Sequence, residues 1–235
     1  MNDMLSYLLK GSGLMGIELS EKKAARMLSY MGEVLEANKT MNLTSVTEEA
    51  EFIELHILDS LSILSLIPEG ASLLDVGTGA GFPGVILKIA REDIRLTLID
   101  STLKKLNFVK GACEKLNIGV EDICHGRAEE LSTKAIYRNS FDVLTARAVS
   151  KLPMLCEYCI PFVKKGGIFV AMKGRNVSEE IFAAADISEK LGAPLKDTLQ
   201  LELPYSKSRR CLVIYEKLGE TPGQYPRKNL KKLYK

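Results

Sequence analysis

Leu74-Asp75-Val76-Gly77-Thr78-Gly79-Ala80-Gly81-Phe82-Pro83-Gly84 is the stretch on which the fold turns. It closes an apolar run beginning at Ser72 and opens a helical segment over 82–91. Gly77 lets the chain leave a strand end sharply. Gly79 and Gly81 let a ligand approach backbone where any Cβ would collide. Pro83 suits a helix's first turn, where no N–H is required. A second apolar run, Arg95 to Ile99, ends beside Asp100, 25 residues after Asp75, with Ser101 next to it. A carboxylate at that point can accept both hydroxyls of a ribose, so the pair of features reads as a nucleoside-cofactor signature.

Working outward, apolar runs continue at Val120 to Cys124, Phe141 to Thr145 and Gly167 to Met172. Helical segments at 102–116, 126–132, 150–163 and 176–191 alternate with them. Continuous apolar strands alternating with helices predict an α/β fold with a mostly parallel sheet covered on both faces. Ligands bind such sheets at the carboxyl ends of the strands. Leu195 to Leu203 and Cys211 to Glu216 predict an antiparallel hairpin at one edge. Upstream, Leu5, Leu8 and Leu9 repeat at helical spacing, Ser20 can cap a second helix through Leu35, and a third runs from about Thr47 to Leu66 before Pro68. The expected organisation is a helical cap at 1–68, a cofactor-binding domain at 69–218 and a basic tail at 219–235.

Composition narrows the function classes. Of 235 residues, 46% are hydrophobic and 26% charged, the balance of a globular protein. No window reaches the roughly 20 apolar residues of a membrane helix, and the start does not read as a signal peptide, so a cytoplasmic location is expected. The five cysteines do not suggest a disulfide framework, and Cys156-Glu-Tyr-Cys159 reads as two core thiols within a helix. With two histidines, His56 and His125, far apart, no metal site is expected. The net charge of +2 conceals a division: from Tyr205 onward nine Lys/Arg face two Asp/Glu, leaving 23 basic and 28 acidic residues before it. A basic end on an acidic body hints at a polyanion partner, although a solvated terminus reads the same way.

The glycine stretch also separates cofactors. Gly79-Ala-Gly81-Phe-Pro-Gly84 matches the dinucleotide spacing, but the glycine that ends the strand is Gly77, so the register differs. Asp75 would repel a pyrophosphate, yet could order the loop and hold the ammonium of a methionine moiety. The run therefore resembles the first motif of Rossmann-like class I methyltransferases, which implies S-adenosylmethionine. A nucleotide-binding module without catalysis and an NAD-dependent reductase remain alternatives.

A narrower resemblance rests on Asn42-Leu-Thr-Ser-Val46, His56-Ile-Leu-Asp59-Ser60, Asp75 through Gly84, Gly126-Arg-Ala-Glu-Glu130, Thr145-Ala-Arg-Ala-Val149, Lys173-Gly174 and Tyr225-Pro-Arg-Lys228, in that order over nearly the whole chain. Together they are similar to the bacterial small-subunit rRNA guanine-N7 methyltransferases, the glucose-inhibited division protein B family. The resemblance implies a class I methyltransferase acting on guanine 527 near the decoding site of 16S rRNA. It also implies cofactor contacts at Gly77, Phe82, Asp100, Ala128, Glu129 and Arg147. The partner it implies is 16S rRNA in the small ribosomal subunit or an assembly intermediate; no obligate protein partner is evident in the sequence, and no membrane is expected. Methylation at another RNA position or on protein is the runner-up. Where the family usually continues with Gly and Pro after the Pro-Arg-Lys segment, this chain has Asn229-Leu-Lys-Lys-Leu233.

The residues say something of the chemistry themselves. Attack through pyrimidine C5 needs a cysteine nucleophile, and exocyclic amines often sit against an Asn/Asp-Pro-Pro-aromatic turn after the fourth strand. That strand here ends in Leu144-Thr-Ala-Arg147-Ala-Val-Ser150, with neither. Guanine N7 carries a lone pair and needs orientation only. Arg147, at a strand's carboxyl end, is expected to contact the methionine carboxylate or orient the guanine; the alternative is a surface arginine in an ion pair. The Ala128 backbone and Glu129 are expected at the adenine edge, or simply as an acidic helix start. Arg127, Lys173, Arg209, Arg210 and the tail from Arg227 and Lys228 to Lys235 are candidate phosphate contacts. Phe82, Tyr205 and Tyr225 could stack on bases or pack internally. His56 and Asp59, three apart on a predicted helix, could hydrogen-bond to one another and tie the cap to the cleft, the preferred reading, with a catalytic role as the alternative.

Overall fold

The computed structural model describes residues 2–234; the Asn2 side chain and, in the basic tail, Lys235 and the Lys231 side chain lie outside what is described. The chain begins with helices α1 (Asn2–Leu14) and α2 (Glu21–Met41). As expected, the Ser20 side chain accepts a bond from the Lys23 N–H and starts α2, whose Ala24, Met27, Tyr30, Met31 and Val34 form the buried stripe. The third helical stretch starts at Glu49, not Thr47. The Thr44 hydroxyl accepts the Val46 N–H at 3.1 Å, offering the backbone a turn instead of a helix. It runs as α3 (Glu49–Phe52), a π turn (Ile53–Leu58) and α4 (Asp59–Leu61).

From there strands and helices alternate: β1 (Ser72–Val76), α5 (Gly84–Ala90), β2 (Arg95–Asp100), α6 (Leu103–Lys115), β3 (Asp122–His125), α7 (Ala128–Leu131), β4 (Phe141–Arg147), α8 (Leu152–Cys159), β5 (Val163–Lys173) and α9 (Ser178–Lys190). The hairpin β6 (Leu195–Glu202) and β7 (Arg209–Glu216) follows, then the short α10 (Leu230–Leu233). Among the described residues the strands form one seven-stranded sheet in the order β3-β2-β1-β4-β5-β7-β6. β1 to β5 pair in parallel, while β7 runs antiparallel to β5 and carries β6 at the edge. The expected α/β class and antiparallel edge are both present. β3 begins two residues later than its apolar run, in register with β2 from Thr97↔Asp122 to Asp100↔His125. β5 starts earlier, because an irregularity between Phe141 and Val143 lets Val163 join the pairing.

Two apolar layers sandwich the sheet. Successive residues point to opposite faces, so Leu73 joins the layer containing α2, α5 and α6 while Leu74 joins the one under α8 and α9. The cap has no core of its own: Met27, Phe52 and Ile57 pack in one cluster with Val85, Ile86 and Leu98. The basic tail is docked, not frayed. Tyr225 and Leu230 enter the α8–α9 layer, and Arg138 donates to the Thr221, Pro222 and Tyr225 carbonyls. Cys156 and Cys159 are buried free thiols of α8, as expected. Among the described residues no helix is long and apolar enough to cross a membrane.

Candidate active site

The strand order reverses direction between β1 and β4, so their carboxyl ends diverge and leave a crevice. The turn after β1 fills its base. Gly77 (φ +71°) and Gly81 (φ +89°) both adopt backbone that favours glycine. A Cβ on Gly77 would strike Val149 Cγ2 at 2.5 Å, and one on Gly81 would strike the Tyr30 hydroxyl. Gly79 (φ +59°) faces open space, the approach a ligand would use. Pro83 does not enter the helix; it is the cap residue before Gly84, after a cis peptide bond.

Asp75, on β1, is wholly buried against this turn. Its Oδ2 accepts the Thr78 hydroxyl at 2.7 Å and the Gly84 N–H at 3.0 Å, which orders the loop as expected. Its Oδ1 is buried without a partner. Burial pushes its carboxyl up to about 6, against the opposing pull of the Thr78 and Gly84 bonds and the Arg147 cation. Asp100 accepts the Gly79 N–H at 2.9 Å and the Thr102 N–H at 2.8 Å, which fixes its orientation at the strand end. Each oxygen keeps a lone pair for a further donor.

A cleft of about 240 Å³ opens over these groups, lined by Gly77, Asp100, Ser101, Arg127, Ala128 and Glu129, with Val149, Met154 and Tyr158 closing the far wall. It gathers six of the expected positions. The orphaned Asp75 oxygen beneath it, the open face of Gly79 and the preset Asp100 carboxylate fit a nucleoside cofactor bearing a cationic amino-acid end. Asp75, Gly79, Gly81, Phe82 and Arg147 are not among its lining residues; Gly81 instead faces the Tyr30 hydroxyl. Phe82 is 6% exposed and packs on Phe52, Tyr30 and the His56 ring, the last stacked at 5.0 Å.

Arg147 belongs to a second cleft of about 380 Å³, lined by Leu55, His56, Asp59, Arg147, Ala148, Met172, Lys173 and Arg210 among others. Its Nη1 donates to Asp59 Oδ2 at 2.9 Å and to the Leu55 carbonyl at 3.0 Å, and its Nη2 lies 3.2 Å from His56 Nδ1. The π turn makes this possible. The Asp59 N–H bonds back to Glu54 instead of Leu55, so the Leu55 carbonyl is free to face the guanidinium. His56 and Asp59 thus hold Arg147 between them and are not bonded to one another. His56 Nε2 is taken by the Thr44 hydroxyl at 2.8 Å. Burial, with the Arg147 cation second, pushes the His56 imidazole down to about 4.

Several expected phosphate contacts already hold partners within the molecule. Arg227 pairs with the fully buried Glu157, whose carboxylate also accepts the Tyr234 hydroxyl at 2.6 Å. Lys173 pairs with Glu180 at 2.7 Å and donates to the Ser150 carbonyl at 2.8 Å. Arg209 meets Glu202 at 3.1 Å in a solvent-exposed pair, and Arg210 spends its Nε on Asp59 at 3.1 Å. Arg127 and Lys228 stay exposed, beside a cleft of about 750 Å³ that adjoins the first. The aromatic candidates are packing residues: Tyr205 stacks on Tyr7 at 3.9 Å, and Tyr225 is 9% exposed. The sequence reading missed Tyr30, whose hydroxyl donates to the Ala80 carbonyl at 2.9 Å and backs the glycine turn. Tyr30 looks there like any other residue of a helical stripe. Thr44, by contrast, sat inside the Asn42–Val46 segment.

A glycine turn and oriented carboxylate at the switch point of this sheet define a class I S-adenosylmethionine-dependent methyltransferase. Solved structures share the fold: an O-methyltransferase from Bacillus cereus in complex with SAH (TM-score 0.55, 15% identity, 80% of this chain and 91% of that one) and a SAM-dependent methyltransferase from Aquifex aeolicus (TM-score 0.53, 19% identity, 72% and 93%). Residues 23–204 match the model of the family described as rRNA small subunit methyltransferase G. Proteins of that name from Clostridium botulinum strain Loch Maree (42% identity, 90% of both chains) and Pelotomaculum thermopropionicum (40% identity, 97% and 96%) align along nearly the full length. The chain belongs to the rRNA small subunit methyltransferase G family and is an rRNA methyltransferase.

Proposed function

We propose that the chain methylates N7 of guanine 527 in 16S rRNA, within the small subunit or its assembly intermediate in the cytoplasm. The carrying observation is the state of the acceptor-side wall. Its carboxylate, Asp59, is committed to two guanidiniums, and both nitrogens of its imidazole, His56, have partners. No cysteine lines either cleft. Such a wall offers no free base and no nucleophile, which suits N7, a guanine nitrogen with a lone pair and no proton to lose.

S-adenosylmethionine, when bound, supplies an electrophilic methyl group on sulfur. In this reading Gly77 and Gly79 give it room, Gly81 lets Tyr30 close up behind the turn, Asp75 faces its ammonium, Asp100 and Ser101 hold the ribose, and Ala128 and Glu129 border the adenine. Arg147, fixed from three sides, orients the guanine through O6, since a bond to N7 would block attack. Alignment of this kind can be worth roughly 7–11 kcal/mol. Phe82 supports the turn by packing on Tyr30, Phe52 and His56.

The test is methyl transfer from labelled S-adenosylmethionine to small subunits from cells lacking the gene, followed by reduction and aniline scission, which cuts at N7-methylguanine. One new cut at guanine 527 is expected. Label without a cut refutes N7 and leaves another RNA position or a protein as acceptor.

A further inference from the structure

The buried Asp59 carboxylate carries a second bond that the reaction as described does not use. Oδ2 faces Arg147, from the end of β4, and Oδ1 accepts from Arg210 Nε, at the start of β7, at 3.1 Å. The three side chains are 5%, 16% and 22% exposed, so the ion pairs are shielded from salt. One carboxylate shared by two guanidiniums leaves one positive charge uncompensated. The neighbouring cation does not change this, since Lys173 is neutralised by Glu180. The neighbouring ring does not either, since burial keeps His56 neutral at physiological pH. Donors remain as well. Arg210 spends Nε on Asp59 and Nη1 on the Arg209 carbonyl, which leaves Nη2 without a protein partner and the cleft within its reach.

We propose that Asp59 sets Arg147 and Arg210 side by side as a clamp, with Arg147 on the guanine and Arg210 on one backbone phosphate of the RNA next to the acceptor nucleotide. The assignment rests on the methyltransferase reading but names a different contact. A guanine base is neutral and cannot cancel the surplus charge, whereas a phosphodiester carries one negative charge and the oxygens a guanidinium fork matches. The methionine carboxylate of the cofactor is the other anion available, and the geometry disfavours it. Arg210 lies on the cap-side cleft, which shares no lining residue with the cleft over the glycine turn. The two mouths adjoin at Ala148 and Val149, so a nucleotide held by the clamp abuts the cofactor cleft.

The test compares wild type, Arg210→Ala and Arg210→Lys. Both variants leave Asp59 paired with Arg147, and thermal melts confirm folding. Three quantities are read: affinity for a mixed-sequence single-stranded RNA across a KCl series, KM and kcat on unmethylated small subunits, and the dissociation constant of S-adenosylmethionine. In Arg210→Ala the slope of log affinity against log salt falls by about 0.7, one phosphate's worth on single strands. KM rises roughly tenfold, with kcat and cofactor affinity unchanged, and Arg210→Lys recovers part of the loss. An unchanged slope overturns the clamp. Weakened cofactor binding overturns the phosphate assignment in favour of the cofactor carboxylate. RNA binding with the expected slope change, but no methylation of subunits by wild type, would sink the acceptor reading while leaving the clamp standing.

Discussion

Asp75 is fully buried, and its carboxyl is raised from 3.8 to about 6. Between these values the folded chain holds a proton the unfolded chain has released, so stability falls as pH rises through this window. His56 has the opposite sign. Its imidazole is lowered from 6.5 to about 4, so the unfolded chain binds the extra proton and stability rises with pH over that range. At 1.36 kcal/mol per pKa unit each contribution is about 2–3 kcal/mol, with that of the partly exposed His56 at the low end. The two nearly cancel, so wild-type melting temperatures should be flat from pH 4 to 6.5. His56→Asn should uncover a fall with rising pH, and Asp75→Asn a rise. Identical profiles for all three would show that neither group is perturbed. The glycines separate in the same way. Gly79→Ala meets no atom and should cost only the left-handed backbone term, about 1 kcal/mol, while weakening the cofactor. Gly81→Ala collides with the Tyr30 hydroxyl and should lose several kcal/mol of stability. Denaturant titrations of the pair decide this.

At the scale of elements, the docked tail is the informative case. The Arg227 side chain is 39% exposed, yet its partner Glu157 is entirely buried on α8. Arg227→Ala would strand that carboxylate with only the Tyr234 hydroxyl and a backbone N–H to spare it. Removing one partner of a buried pair costs about 3 kcal/mol or more, a loss of roughly 6–12 °C in melting temperature for a chain of this size. RNA affinity of the folded variant should be unchanged. A drop in RNA affinity without loss of stability would return Arg227 to the phosphate contacts. Counting lysines and arginines from Tyr205 correctly found a basic segment, but charge alone does not say which cations face outward. Lys217 is 1% exposed and reaches the Leu191 carbonyl and the Thr221 hydroxyl, a core residue in the middle of that count. The π turn was equally illegible, because Ile53 to Leu58 keeps the apolar spacing of an ordinary helix.

For the whole molecule, cap, sheet and glycine turn share one core, so ligand binding at the crevice should stabilise the entire chain. At a hundred times its dissociation constant, S-adenosylmethionine should add about 2.7 kcal/mol and raise the melting temperature by roughly 5–10 °C in one transition. NAD at the same concentration should do nothing. Two transitions, with only one of them shifted, would mean that the cap folds apart from the sheet.

What the sequence determined by itself was local and periodic. Alternating apolar runs set strands and helices, three glycines with Asp75 and Asp100 marked the turn, and the absence of a nucleophile shaped the chemistry. These follow from backbone sterics and spacing along the chain, which need no partner from elsewhere. The tertiary structure alone decided which charges meet. Asp59 joins Arg147 and Arg210 from 88 and 151 residues away, and Glu157 claims Arg227 from 70. Ion pairing depends on distance and burial, and neither is written in the spacing of a linear chain.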